Sequence, residues 1–228
     1  MYFDATIYLL IPAIILSFYA QFKVKSSYGK FSRVANSRHM TGYDTARRIL
    51  DANGLSHITI ERVGGELTDH YDPTKQVVRL SNGIYSGTSI ASVSVAAHEI
   101  GHAIQHATGY KALIVRNRLV PVVNIASNLA WPLAIIGLLM GSLAGMKIFD
   151  LAIILYAAAV LFQLITLPVE LNASSRAMQQ MDSLGILTDH AEQRQAKKML
   201  GAAALTYVAA AAVAVANLLR LLLIRNND

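Results

Sequence analysis

Four long apolar runs restrict what this chain can fold into more than any other feature. Residues 2–22, 119–140, 148–169 and 201–224 are each about 20 residues long, the length an α-helix needs to cross a hydrocarbon core of ~30 Å. Inside such a core every backbone N–H and C=O must be satisfied by the segment itself, which makes these runs helices. The expected fold is therefore mainly α: a membrane protein with about four transmembrane helices, with 1–228 forming a single membrane-integrated domain. Composition agrees, since 54% of the residues are hydrophobic and only 15% charged, against roughly a quarter charged in soluble domains. The first run has no basic start and no small-x-small site before Lys23, so it reads as an uncleaved span with Asp4 at its outer edge. Pro121 and Pro132 fall inside the second run, where neighbouring groups in a membrane can satisfy the freed carbonyls. A break at 141–147 separates it from the third.

The charge pattern gives an orientation. Most of the 20 Lys and Arg residues lie in 23–118, four more (Arg176, Arg194, Lys197 and Lys198) lie in 170–200, and Lys147 alone occupies the hairpin between the second and third runs. The positive-inside rule then places 23–118 and 170–200 in the cytoplasm and both termini outside. The same distribution accounts for the net charge of +6 without a nucleic-acid partner. Cysteine is absent, which excludes a disulfide framework and a thiolate metal site.

Within 23–118, residues 23–38 read as a linker or an interfacial helix. Thr41 and Asp44 open a short helix that Gly54 ends. Residues 58–63 and 76–80 carry β-branched clusters and read as strands, with the turn signal Asp72-Pro73-Thr74-Lys75 making 67–80 a small hairpin. Such a strand can grip an extended peptide or merely brace its neighbour. Residues 81–89 read as a Gly/Ser-rich loop. A helix over 88–107 follows, stopped by Thr108-Gly109.

That helix carries His98-Glu99-Ile100-Gly101-His102. Residues four apart share a helix face, so both imidazoles can reach one metal ion, while Glu99 projects about 100° away and can work on a water. This is the H-E-x-x-H pattern of metal-assisted hydrolysis, two ligands and a general base. A catalytic zinc takes three protein ligands and keeps one open position. His106 lies on the same face, but its eight-residue separation from His98 is about 12 Å along the axis, too far to converge with both. Nor does the chain follow H-E-x-x-H-x-x-G-x-x-H, because Gln105 stands at the Gly position. Glu170, at the cytoplasmic end of the third run, is the candidate third ligand, since a carboxylate there is costly unless paired or metal-bound. The competing reading pairs it with Arg176. Ser174, one turn on, is placed to support the site, and Asn172 faces elsewhere.

Three stretches together, His98–His102, Leu67–Pro73 and Glu170–Ala177, resemble the YugP-like family of bacterial neutral zinc metallopeptidases, and the likeness runs over nearly the whole chain. The resemblance implies a membrane gluzincin with a zincin-like cytoplasmic region. Its ligands would be His98, His102 and Glu170, its base Glu99, its cofactor one zinc per chain and its substrate a peptide or protein. The expected partners are thus a peptide substrate and the lipid bilayer. Oxyanion donors remain open among Tyr71, His70, Arg176, His190 and Tyr207. A second reading is a non-catalytic membrane scaffold or adaptor whose zinc is structural, with His70 or His106 as fourth ligand. Small residues in 201–216 suit helix packing within one chain or in a homo-oligomer.

Overall fold

A computed structural model describes residues 5–227; Tyr2, Phe3 and Asp4, part of the first expected span, lie outside the described residues. Helices dominate, and among the described residues four are long and apolar enough to cross a membrane. The chain packs as two compact units.

One unit comprises 21–110 and 169–205. Helix α1 (Ile11–Phe31) carries through Lys23 to Phe31 without interruption, so the first half of 23–38, expected as a linker or an interfacial helix, is helical. Helix α2 (Gly42–Ala52) starts with a capping box, Thr41 and Asp44 each bonding the other's backbone N–H, and Gly54 takes the left-handed conformation just past its end. Strands β1 (Thr59–Val63), β2 (His70–Asp72) and β3 (Val77–Ser81) form a sheet in the order β1-β3-β2. The expected hairpin is the antiparallel β2–β3 pair, while β1 pairs parallel to β3. Residues 81–89 are not simply a loop, because Asn82–Ser86 make a helical turn, α3.

Helix α4 (Ile90–Ala107) follows, capped by the Ser89 hydroxyl, which accepts from Ser92 N–H. Buried Asn36 ties α4's approach to the α1–α2 connection: its side chain donates to Met40 and Thr88 carbonyls and accepts from Met40 N–H. A single apolar core runs through Ile49, Leu50, Leu80, Ile90, Ile100, Met181 and Met199. It fills the space around α4, so that helix is anchored on most of its circumference.

The other unit comprises residues up to Ala20, Lys111–Pro168 and those from Thr206. It holds α5 (Lys111–Met140), which keeps its helical course through Pro121 and Pro132. The break after it is only Gly141–Ser142, shorter than the expected 141–147, because α6 (Leu143–Ser183) begins at once. Helix α7 (His190–Asn227) completes the chain. Here the buried cluster is small, built on Ala134, Phe149, Ala152 and Leu221. Gly137 and Gly145 let α5 and α6 nearly touch, since a Cβ on Gly137 would lie 2.8 Å from Gly145 O.

Candidate metal centre

The candidate site is assembled by α4, the start of the α6 segment from Val169, and β2. Gly101 decides how close the two helices come. A Cβ there would lie 2.5 Å from Ala173 O and 3.1 Å from Ala173 C and Cα, so only a residue without one permits this backbone approach. With α4 and α6 in contact at that point, the His98/His102 face meets Glu170, less than one turn before Ala173.

His98 Nε2 lies 3.3 Å from Glu170 Oε2, and His102 Nε2 lies 3.4 Å from the same oxygen. All three donor atoms fall within 4.8 Å of one another. Two ligands on a tetrahedral zinc, each at about 2.0–2.1 Å, stand roughly 3.3–3.4 Å apart. Both histidine–glutamate spacings match that edge, and the nitrogen–nitrogen–oxygen donor set suits a zinc ion with a position left over. Glu170 is only 2% exposed, and a carboxylate so deeply placed needs compensation. The structure thus brings Glu170 to the two histidines, whereas Arg176 spends its Nε on Asn172.

The distal nitrogens are held as well. His102 Nδ1 lies 3.0 Å from Gln105 Oε1, and His98 Nδ1 lies 3.1 Å from Ser174 Oγ. The tautomer of His102 follows from a chain of constraints. Arg176 Nε can only donate, so it fixes the Asn172 side-chain oxygen toward itself. That oxygen and the Val169 carbonyl both accept from Gln105 Nε2. Gln105 must then turn Oε1 to His102, whose Nδ1 carries the proton and whose Nε2 presents its lone pair. Burial works against the imidazolium of His102, but its bond to Glu170 and the nearby Glu99 charge outweigh burial and raise its pKa above the ordinary histidine value.

Glu99 is buried at 9% exposure beside this cluster and does not belong to it. Its Oε2 accepts from Tyr71 N–H at 3.1 Å, so edge strand β2 fixes where the carboxylate points. His106 stands apart too, its Nδ1 2.9 Å from the Tyr71 hydroxyl, and His70 Nδ1 donates to Thr68 O.

Sequence reasoning missed three participants. Asn172 was expected to face elsewhere, but it carries the Arg176–Gln105 relay; its i,i+4 spacing from Arg176 is the signal that could have found it. Gln105 registered only as the wrong residue for a longer zinc motif, although i,i+3 from His102 places it within reach. The Tyr71 amide could not be foreseen, because it depends on strand placement.

A family described as "Putative neutral zinc metallopeptidase" matches residues 6–226 of this chain. The chain is 55% identical over 218 residues to a protein of Bacillus subtilis (strain 168) named "Putative membrane protease YugP", covering 96% of this chain and 95% of that one. No solved structure matches it.

Proposed function

The chain belongs to this neutral zinc metallopeptidase family, and from that premise we propose that it is a membrane-bound zinc metalloendopeptidase of the gluzincin type. Its substrates are membrane or membrane-proximal proteins, and its active site faces the cytoplasm of a bacterial cell. The observation that carries this reading is the His98–His102–Glu170 cluster, with each imidazole at tetrahedral-edge spacing from the Glu170 carboxylate, and a buried carboxylate, Glu99, standing beside it and outside it.

His98, His102 and Glu170 would hold one zinc per chain. When bound, zinc supplies Lewis-acid polarisation of a scissile carbonyl and a water acidified towards a pKa of ~7. Glu99 takes the proton of the attacking water on a carboxylate oxygen and delivers it to the leaving amine nitrogen. The Tyr71 N–H bond restricts the Glu99 carboxylate to one orientation, which reduces the reorganisation needed when substrate arrives. Ser174 and Gln105 orient the two imidazoles and make them better donors.

A structural zinc, as the scaffold reading requires, needs a fourth protein donor. Among the described residues the cluster has three members. His70 and His106, the available fourth ligands, are engaged with Thr68 O and the Tyr71 hydroxyl. That favours the enzyme.

The test is Glu99→Gln beside wild type, both purified with zinc and assayed on an unfolded membrane protein or casein. The expected result is unchanged zinc content with cleavage reduced about 10²–10⁴-fold, the range for loss of a general base. Cleavage by the variant at the wild-type rate would exclude Glu99 as the base. Absence of zinc from the wild type would overturn the whole reading.

A further inference from the structure

A second feature of the 21–110/169–205 unit has no part in the metal centre. A cavity of about 500 Å³ opens between α1 and α7. On α1 it is lined by Lys23, Ser26, Ser27 and Lys30, spaced i, i+3, i+4, i+7. This spacing puts one continuous stripe of a helix on the groove. On α7 the lining is Lys198, Gly201, Ala202 and Leu205, the same spacing again. Three ammonium groups and two hydroxyls therefore share one groove, and among the described residues that line it there is no carboxylate.

Gly201 sharpens the point. Glycine inside a helix is less favourable than alanine by about 1 kcal/mol in ordinary contexts, so a packing reason is usual. None exists here: a Cβ on Gly201 would meet no atom within 4 Å. Its missing side chain borders this groove and a neighbouring hollow lined by Leu171, Ser174 and Met178. The position of the groove along both helices is also telling. Lys23 directly follows the apolar run 2–22, and Lys198 stands just before the apolar run 201–224. Both lysines thus mark the place where a helix turns from apolar to polar sequence, the depth of lipid headgroups.

We propose that the α1–α7 groove binds the phosphate headgroup of an anionic phospholipid, with Lys23, Lys30 and Lys198 supplying the charge and Ser26 and Ser27 the hydroxyl donors. Lysine suits this task as a mobile point charge for a phosphodiester that presents no fixed orientation. Leu205 gives the groove an apolar end against which the start of an acyl chain can lie. This site is independent of metal binding and of peptide cleavage, and its test uses neither.

The experiment is native mass spectrometry of the full-length chain released from detergent with equimolar phosphatidylglycerol and phosphatidylcholine. The expected wild-type preference for phosphatidylglycerol is about tenfold, from three lysines screened at the interface. The triple variant Lys23→Gln/Lys30→Gln/Lys198→Gln should bind the two lipids equally. Gly201→Leu, which keeps every lysine and whose Cβ would meet no atom within 4 Å, should lose the preference while keeping a wild-type melting temperature. A charge-matched control, Lys111→Gln/Arg116→Gln/Arg118→Gln, should retain it. Equal binding by wild type, or equal losses in control and groove variants, would overturn the assignment. Displacement of the lipid by millimolar glycerol 1-phosphate would reassign the groove to soluble phosphate compounds and refute the lipid.

Discussion

The two units solve the same problem, hiding apolar surface, in different ways. The 21–110/169–205 unit has a core of fully buried large apolar side chains: Ile49, Leu50, Leu80, Ile90 and Ile100 show no exposed surface. The other unit leaves Ile125, Leu139, Leu143 and Ile154 largely bare, with Leu139 81% exposed. A water-soluble domain cannot carry so much bare hydrocarbon; a unit solvated by lipid can. One ionisable cluster from each unit shows a parallel contrast. In the first unit a buried carboxylate meets two imidazoles, each held on its far side. In the second, Asp150 and Arg225 make a two-pronged ion pair at 2.5 and 3.2 Å with both side chains about a third or more exposed. A supported, buried cluster is organised for binding, whereas a half-exposed pair serves to link two helices.

This contrast can be broken by substitution. The largest difference is expected from truncating aliphatic side chains. Ile49→Ala should destabilise the protein by about 2–5 kcal/mol, because a core cavity results, while Ile154→Ala in detergent should stay within about 0.5 kcal/mol. Comparable losses from both, in thermal melts of the two variants, would mean that the second unit also has a packed interior at that position.

Next in size is Gly101→Val. Its Cβ would have to displace Ala173 backbone rather than a flexible side chain, at a cost of about 1–3 kcal/mol. Because the same contact aligns Glu170 with the histidines, zinc should be lost along with stability. A valine variant that retains wild-type zinc affinity would show that the α4–α6 approach does not set the site.

Gln105→Leu removes the acceptor for His102 Nδ1–H and the donor to Asn172 and Val169. Removal of such a supporting group lowers metal affinity roughly 10–100-fold, readable by competition with a chelator. An unchanged affinity would detach the Arg176–Asn172–Gln105 relay from the site.

The smallest effect is on pH dependence. His102 has a raised pKa in the metal-free fold, so its stabilising contribution is complete below the ordinary imidazole pKa of about 6.5 and is lost as pH rises through the raised value. A zinc ligand must be neutral, so affinity for the metal moves the other way and falls as pH drops through that same raised value. Melting temperatures of the metal-free and zinc-loaded protein between pH 6 and 8 should therefore diverge with rising pH. Parallel curves would contradict the coupling.

What could be read in advance was local or periodic. The apolar runs, the Thr41/Asp44 capping box, the Gly54 and Gly109 stops and the His98/His102 spacing depend on neighbours within a turn or two. The β2–β3 hairpin was legible for the same reason, since a four-residue turn joins its strands. The parallel β1–β3 pairing was not, because it joins strands separated by another strand. Helix α1 ran past its apolar stretch because charged and Ser residues on an exposed surface do not end a helix without a breaker. At the site, Glu170 could be singled out because a carboxylate at the end of an apolar run is conspicuous. The Tyr71 amide that holds Glu99 carries no side-chain signature at all, and it became visible only once β2 lay beside α4.

The central claim is that His98, His102 and Glu170 form one metal site, and metal content tests it most directly. Zinc per chain would be measured by plasma mass spectrometry on the purified full-length protein, on His98→Ala and on Glu170→Ala, after equilibration with zinc and removal of loosely bound ion. The account predicts one zinc per wild-type chain and almost none in either variant. A wild type without zinc, or a Glu170→Ala protein that holds it as tightly as wild type, would contradict it.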